Sequence, residues 1–103
     1  MKSITIFYNF AIDEEIKELL KETEVSEYTI IPRCHGQGNV TGPRMDDHVW
    51  PGYNVTIITV LPDALAKKLM TALQELRNGM GTQNGIFAYQ TNVEATLTPP
   101  SAK

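Results

Sequence analysis

Tyr53-Asn54-Val55-Thr56-Ile57-Ile58-Thr59-Val60-Leu61-Pro62-Asp63 decides the fold. Residues 53–60 are dominated by β-branched side chains, which suit a pleated strand. Pro62-Asp63 then stops the strand and opens a helix, since an acidic residue complements the exposed N–H groups of a first turn. Leu65, Leu69, Leu73 and Leu76 follow at helical spacing on one face, so the element is amphipathic. A strand thus runs directly into a helix that packs back on it.

Working towards the N-terminus, residues 27–35 (Glu-Tyr-Thr-Ile-Ile-Pro-Arg-Cys-His) read as another strand. Pro32 removes a ladder donor and so predicts a sheet edge, a bulge or a bend. Before it, Ile12, Ile16, Leu19 and Leu20 predict a helix over roughly 12–23, with Asp13, Glu14 and Glu15 at its N-terminus. Glu14 with Lys17, and Glu18 with Lys21, line its exposed face. Residues 3–9 alternate, with Ile4, Ile6 and Tyr8 on one side, and make the first strand.

Towards the C-terminus, Asn78-Gly79 predicts a helix end in the left-handed conformation. A glycine-rich link then leads to a last strand, Ile86 to Val93, and the tail 98–103 reads as frayed. The order βαββαβ predicts an α+β fold, a ferredoxin-like sandwich: a four-stranded antiparallel sheet with two helices on one face. Residues 1–97 form the single domain and 98–103 a flexible tail. The second sheet face is left for solvent-tolerant residues or for neighbouring subunits, so an oligomer is expected.

Composition narrows the function. A chain of 103 residues holds one modest core. With 42% hydrophobic and 20% charged residues it is globular in type, not disordered. A net charge of −3 argues against general nucleic-acid binding. No apolar run approaches a membrane span and no signal peptide is visible, so direct membrane insertion is not expected and the cytoplasm is the expected compartment. One cysteine excludes an internal disulfide.

The rare residues are segregated. All seven glycines, both histidines, Cys34 and Trp50 fall in two short stretches, 34–52 and 79–85. Residues 36–51 are long for a structureless link, a length that usually accompanies function. Gly36-Gln37-Gly38 after a strand can either turn the chain or present backbone N–H groups to an anion. Gly79, Gly81 and Gly85 allow the same two readings. Met45, Trp50 and Tyr53 form an apolar group at the loop exit, suited to anchoring the loop or a subunit contact. Cys34, His35, Asp46, Asp47 and His48 supply thiolate, imidazole and carboxylate at both ends of the loop, a donor set for a transition metal. Cys34 and His35 point to opposite faces if the strand continues, so His35 with His48 and Asp46 or Asp47 is the more workable set. The alternative is a buried Cys34, a turn at Asp46-Asp47 and exposed histidines. No nucleophile elbow or Ser-His-Asp order is present, which leaves a small ferredoxin-like enzyme as the minor reading.

Cys34-His35-Gly36-Gln37-Gly38, Val55 to Asp63, and Gly79-Met80-Gly81 with Gly85-Ile86-Phe87 together resemble the P-II nitrogen regulatory protein superfamily. The resemblance spans about residues 3–93. It implies a trimeric, non-enzymatic signalling protein that binds adenine nucleotides between subunits and engages partners through the loop between its second and third strands. Gly36 and Gly38 would then contact the nucleotide through their backbone, and Gly79, Gly81 and Gly85 would lie in the phosphate loop. Three departures stand out. Gly85 occupies the place of a lysine, Glu94-Ala95-Thr96-Leu97 replaces the family's arginines, and the loop lacks the modifiable tyrosine motif. Arg33 and Arg44 are the remaining cations near the clefts, which favours AMP or ADP over ATP. A regulatory protein or a membrane transporter is the expected partner of loop 36–51. The divalent-cation tolerance (CutA-like) family shares the trimeric fold and keeps the metal-binding alternative open.

Overall fold

Strict alternation along β1 (Lys2–Asn9) drives Ile4, Ile6 and Tyr8 to one face, where each is at most 1% exposed. In a computed structural model, residues 1–34, 36–38, 42–44, 53–80 and 85–98 are described, with 34, 36–38 and 42–44 described by backbone alone. A single 3-10 turn (Phe10–Ile12) leads from β1 into α1 (Asp13–Glu22). There follow β2 (Thr29–Cys34), the short strands β3 (Gly36–Gly38) and β4 (Gly42–Arg44), β5 (Asn54–Leu61), α2 (Asp63–Asn78) and β6 (Ile86–Asn92).

The four long strands form one antiparallel sheet in the order β2-β5-β1-β6. Ile6 stands opposite Ile57 on one side and Ala88 on the other, so the inward residues of the central strands share a face. Ile16 and Leu20 from α1 and Leu65, Leu69 and Leu73 from α2 close over that face in one core. Leu76 is half-buried at the margin. This is the expected ferredoxin-like α+β sandwich, with both helices on one side.

Among the described residues, no layer covers the other face. Phe7 and Phe87 are register partners with ring centroids 6.0 Å apart, and Tyr89 completes an aromatic group 6.0 Å from Phe87. Phe87 is 63% exposed and Ile31, on the same face, 44%.

Two expectations are corrected. The loop 36–51 is not without structure, because β3 and β4 pair within it; strands of three residues are too short to show a period. Gly79 is not left-handed: it closes α2 at φ −83°, its N–H shared between the Glu75 and Leu76 carbonyls at 3.2 Å. The helix therefore ends by tightening its last turn. The left-handed cap is on α1 instead. Glu24 has φ 66°, its N–H donates to Lys21 O and that of Val25 to Leu20 O, with Leu20 and Val25 buried together. That is a Schellman motif with a glutamate where glycine is usual. Glu14, Lys17, Glu18 and Lys21 line the exposed face of α1 as expected, and Lys17 pairs one helical turn back with Asp13 (3.0 Å). The tail from 99 onward lies outside the described residues.

Candidate functional site

Cys34 and Asn54 are the last paired residues of β2 and β5, and the chain between them leaves the sheet there. Pro32 marks the expected irregularity: the register of edge strand β2 shifts between Ile31 and Cys34. Arg33 sits inside that bulge in the left-handed region, φ 56°, which costs an arginine about 1 kcal/mol. Its guanidinium carbon lies 4.4 Å from the centroid of Tyr53, and Tyr53 stacks on Phe10 at 4.9 Å. The Phe10 N–H donates to the Tyr53 carbonyl at 2.7 Å. A cation–π contact and a ring stack thus fasten the place where the chain re-enters the sheet.

Two of the glycines read as anion contacts, Gly36 and Gly38, lie on one strand of the ribbon. Gly36 faces Arg44, Gln37 faces Pro43 and Gly38 faces Gly42. Gly36-Gln37-Gly38 is extended, whereas an anion nest alternates right- and left-handed residues. Arg33 is separated from this pair in role, since it is engaged with Tyr53. Of the residues that pointed to a metal, Cys34 ends β2, while His35, Asp46, Asp47 and His48 lie outside the described residues. Among the described residues no three His, Cys, Asp or Glu side chains converge on a metal-sized site. Met45 and Trp50 are also outside them, so the apolar group at the loop exit is represented by Tyr53 alone.

The second stretch is held from both ends. Gly79 follows α2, Gly85 precedes β6, and Gly81 lies outside the described residues. Arg77, in the last turn of α2, donates from Nε to the Ile86 carbonyl at 3.1 Å. Sequence reading missed this arginine, because an exposed cation in a last helical turn looks like an ordinary partner of the helix dipole.

Sequence reading also missed Asn54. The residue is 9% exposed, and among the described residues its Oδ1 has no hydrogen-bond partner. Its neighbour across the ladder, Asn9, spends its own Oδ1 on the Ala11 N–H. A buried acceptor without a donor costs about 1–3 kcal/mol.

A family model, nitrogen regulatory protein P-II, matches residues 1–96. The chain belongs to the P-II family. Solved structures agree with that assignment at the level of the fold. The chain is similar to CPII, a nitrogen regulatory PII-like protein from Thiomonas intermedia bound to ADP, AMP and bicarbonate, at 22% identity. That match covers 91% of this chain and 88% of the other, with a TM-score of 0.69. A PII-like signalling protein from Thermus thermophilus is 24% identical over 89% of this chain and 84% of its own, with a TM-score of 0.63. The apo form of the Thiomonas protein matches at 21% identity, 89% coverage of each chain and a TM-score of 0.62. No curated protein sequence matches the chain. P-II proteins are signalling regulators and typically homotrimers, and no helix among the described residues of this P-II chain is long and apolar enough to cross a membrane.

Proposed function

We propose that this P-II family member is a cytoplasmic signalling protein that assembles as a homotrimer and senses an adenine nucleotide, AMP or ADP in preference to ATP. The nucleotide binds in the clefts between subunits, against the Gly36–Arg44 ribbon and the 79–85 link. Occupancy changes how segment 36–51 meets a partner, a regulatory protein or a membrane transporter. The ligand shifts that segment only by the difference in its affinity for the two states.

The observation that carries this reading is the family match over residues 1–96. The uncovered aromatic face of the sheet supports the assembly, because exposed rings of that kind belong at subunit contacts. The relatives bound to ADP and AMP support the ligand class. No observation among the described residues favours the metal-binding reading.

Light scattering and calorimetric titration of the full chain test it together. A trimer mass with ADP and AMP binding, and weaker binding of ATP, is the expected result. A monomer or dimer, or no heat with any adenine nucleotide, overturns it.

A further inference from the structure

The last turns of α1 and the chain leading into β2 enclose a groove of about 500 Å³, on the scale of small-molecule sites. Buried Leu20 and Val25 form its floor, and Lys21, Ser26 and Tyr28 stand around it. The groove lies on the helix side of the sheet. Ile30 stands opposite Ile57, which is buried under the helices, and alternation puts Tyr28 on the same side as Ile30. Phe7, Phe87 and Tyr89 are on the opposite side, so a contact made through those rings does not cover the groove. Tyr28 precedes the first residue of β2 and the ribbon follows its last, so the whole strand separates the groove from the ribbon.

The charges around the groove cancel except for one. Lys17 is held by Asp13 at 3.0 Å, and Glu24 by Lys68 at 3.6 Å. Among the described residues, the Lys21 ammonium and the hydroxyls of Ser26 and Tyr28 have no partner. All three are hydrogen-bond donors. The nearby helix carbonyls do not claim them: those of Leu19, Leu20 and Lys21 accept from the N–H groups of Thr23, Val25 and Glu24. One free ammonium and two free hydroxyls over an apolar floor suit a monoanion with an apolar body. A dianion is disfavoured, because the groove also sits at the negative end of the α1 dipole.

We propose that this groove binds a small organic carboxylate. The carboxylate lies on the Lys21 ammonium and the Ser26 and Tyr28 hydroxyls, and the apolar body lies against Leu20 and Val25. The site is separate from the nucleotide clefts and does not depend on them. A Lys21 that only complements the helix dipole would give no selectivity among small anions.

The experiment is amide NMR titration of the full chain with benzoate, acetate and benzyl alcohol, alongside melting of each variant. Benzoate is expected to shift the amides of residues 17–28 saturably. Acetate lacks the body and benzyl alcohol the charge, so each binds about tenfold more weakly. Lys21→Gln weakens benzoate by about tenfold and leaves benzyl alcohol unchanged, whereas Lys21→Arg keeps most of the affinity. Tyr28→Phe weakens benzoate by about threefold. Shifts that never saturate, or equal affinity for benzoate and acetate, overturn the proposal. So does a Lys21→Gln protein that binds benzoate as wild type does. Equal losses for benzoate and benzyl alcohol that track a lower melting temperature overturn it as well. Displacement of benzoate by ADP would merge the groove with the nucleotide site and overturn the separate one. A chain that binds benzoate but no nucleotide keeps this site and loses the nucleotide reading.

Discussion

Tyr8 joins the first strand to the first helix through a single atom. Its ring is in the core, and its hydroxyl donates to Asp13 Oδ1, whose other oxygen holds Lys17. Burial, and then the Asp13 carboxylate, push the phenol well above its ordinary value of 10.0, because the phenolate would be both desolvated and repelled. The unfolded chain therefore releases this proton near pH 10 while the folded chain keeps it. The stability that depends on the neutral phenol is complete below about pH 10 and falls as pH rises above it. Tyr8→Phe is expected to cost about 1 kcal/mol at neutral pH. Its denaturant midpoint should also decline less steeply than that of wild type between about pH 9 and 11. Equal alkaline slopes in the two proteins would show that Tyr8 is not the group responsible. Asp13 was readable as a helix-start residue; its bond to a buried tyrosine was not, since that depends on how β1 docks against α1.

At the level of elements, the two helices end by opposite devices. In α1 the left-handed position is held by Glu24. Glu24→Gly is expected to stabilise the fold by about 1 kcal/mol, because glycine adopts that conformation without the Cβ clash. The exposed ion pair to Lys68, 3.6 Å long, is a small loss beside this. Gly79 is right-handed, and a Cβ there would meet only the Glu75 and Leu76 carbonyl oxygens at 3.7 Å, ordinary contact. Gly79→Ala should therefore raise stability by about 0.5 kcal/mol by restricting the unfolded chain. Thermal melts of the two variants check both signs, and a destabilised Gly79→Ala would return that glycine to a left-handed or ligand-facing role. The helices themselves were plain in the sequence, since Ile16, Leu20, Leu65 and Leu69 carry their period. Their endings were not, because an Asn-Gly pair invites one geometry while nearby carbonyls fix another.

Over the whole molecule, the strand-helix order was readable from residue types alone, and Val55–Asp63 carried most of it. The site was less so. Asn54, Arg77 and the stacked pair Arg33–Tyr53 acquire meaning only from which chain ends the sheet brings together. The uncovered face follows directly from strand alternation, as Phe7, Phe87 and Tyr89 must point away from a core built on Ile6 and Ile86. On the proposed trimer, Phe87→Glu is expected to shift the protein to monomers in sedimentation at micromolar concentration, since a carboxylate cannot be buried there without a partner. An unchanged trimer would place the subunit contact elsewhere.

The two edges of the sheet are unequal. On the β2 side, Pro32 and the bulge at Arg33 break the row of hydrogen-bonding groups, so another strand cannot add there in register. On the β6 side, Ile86-Phe87-Ala88-Tyr89-Gln90-Thr91-Asn92 carries neither a charge nor a proline. Such a segment is a template for cross-β growth when it is uncovered. Growth of the sheet is therefore polar, open at one edge and closed at the other. Whatever lies against β6 protects the protein from aggregation, and a subunit released from its assembly is the form most exposed to fibril formation.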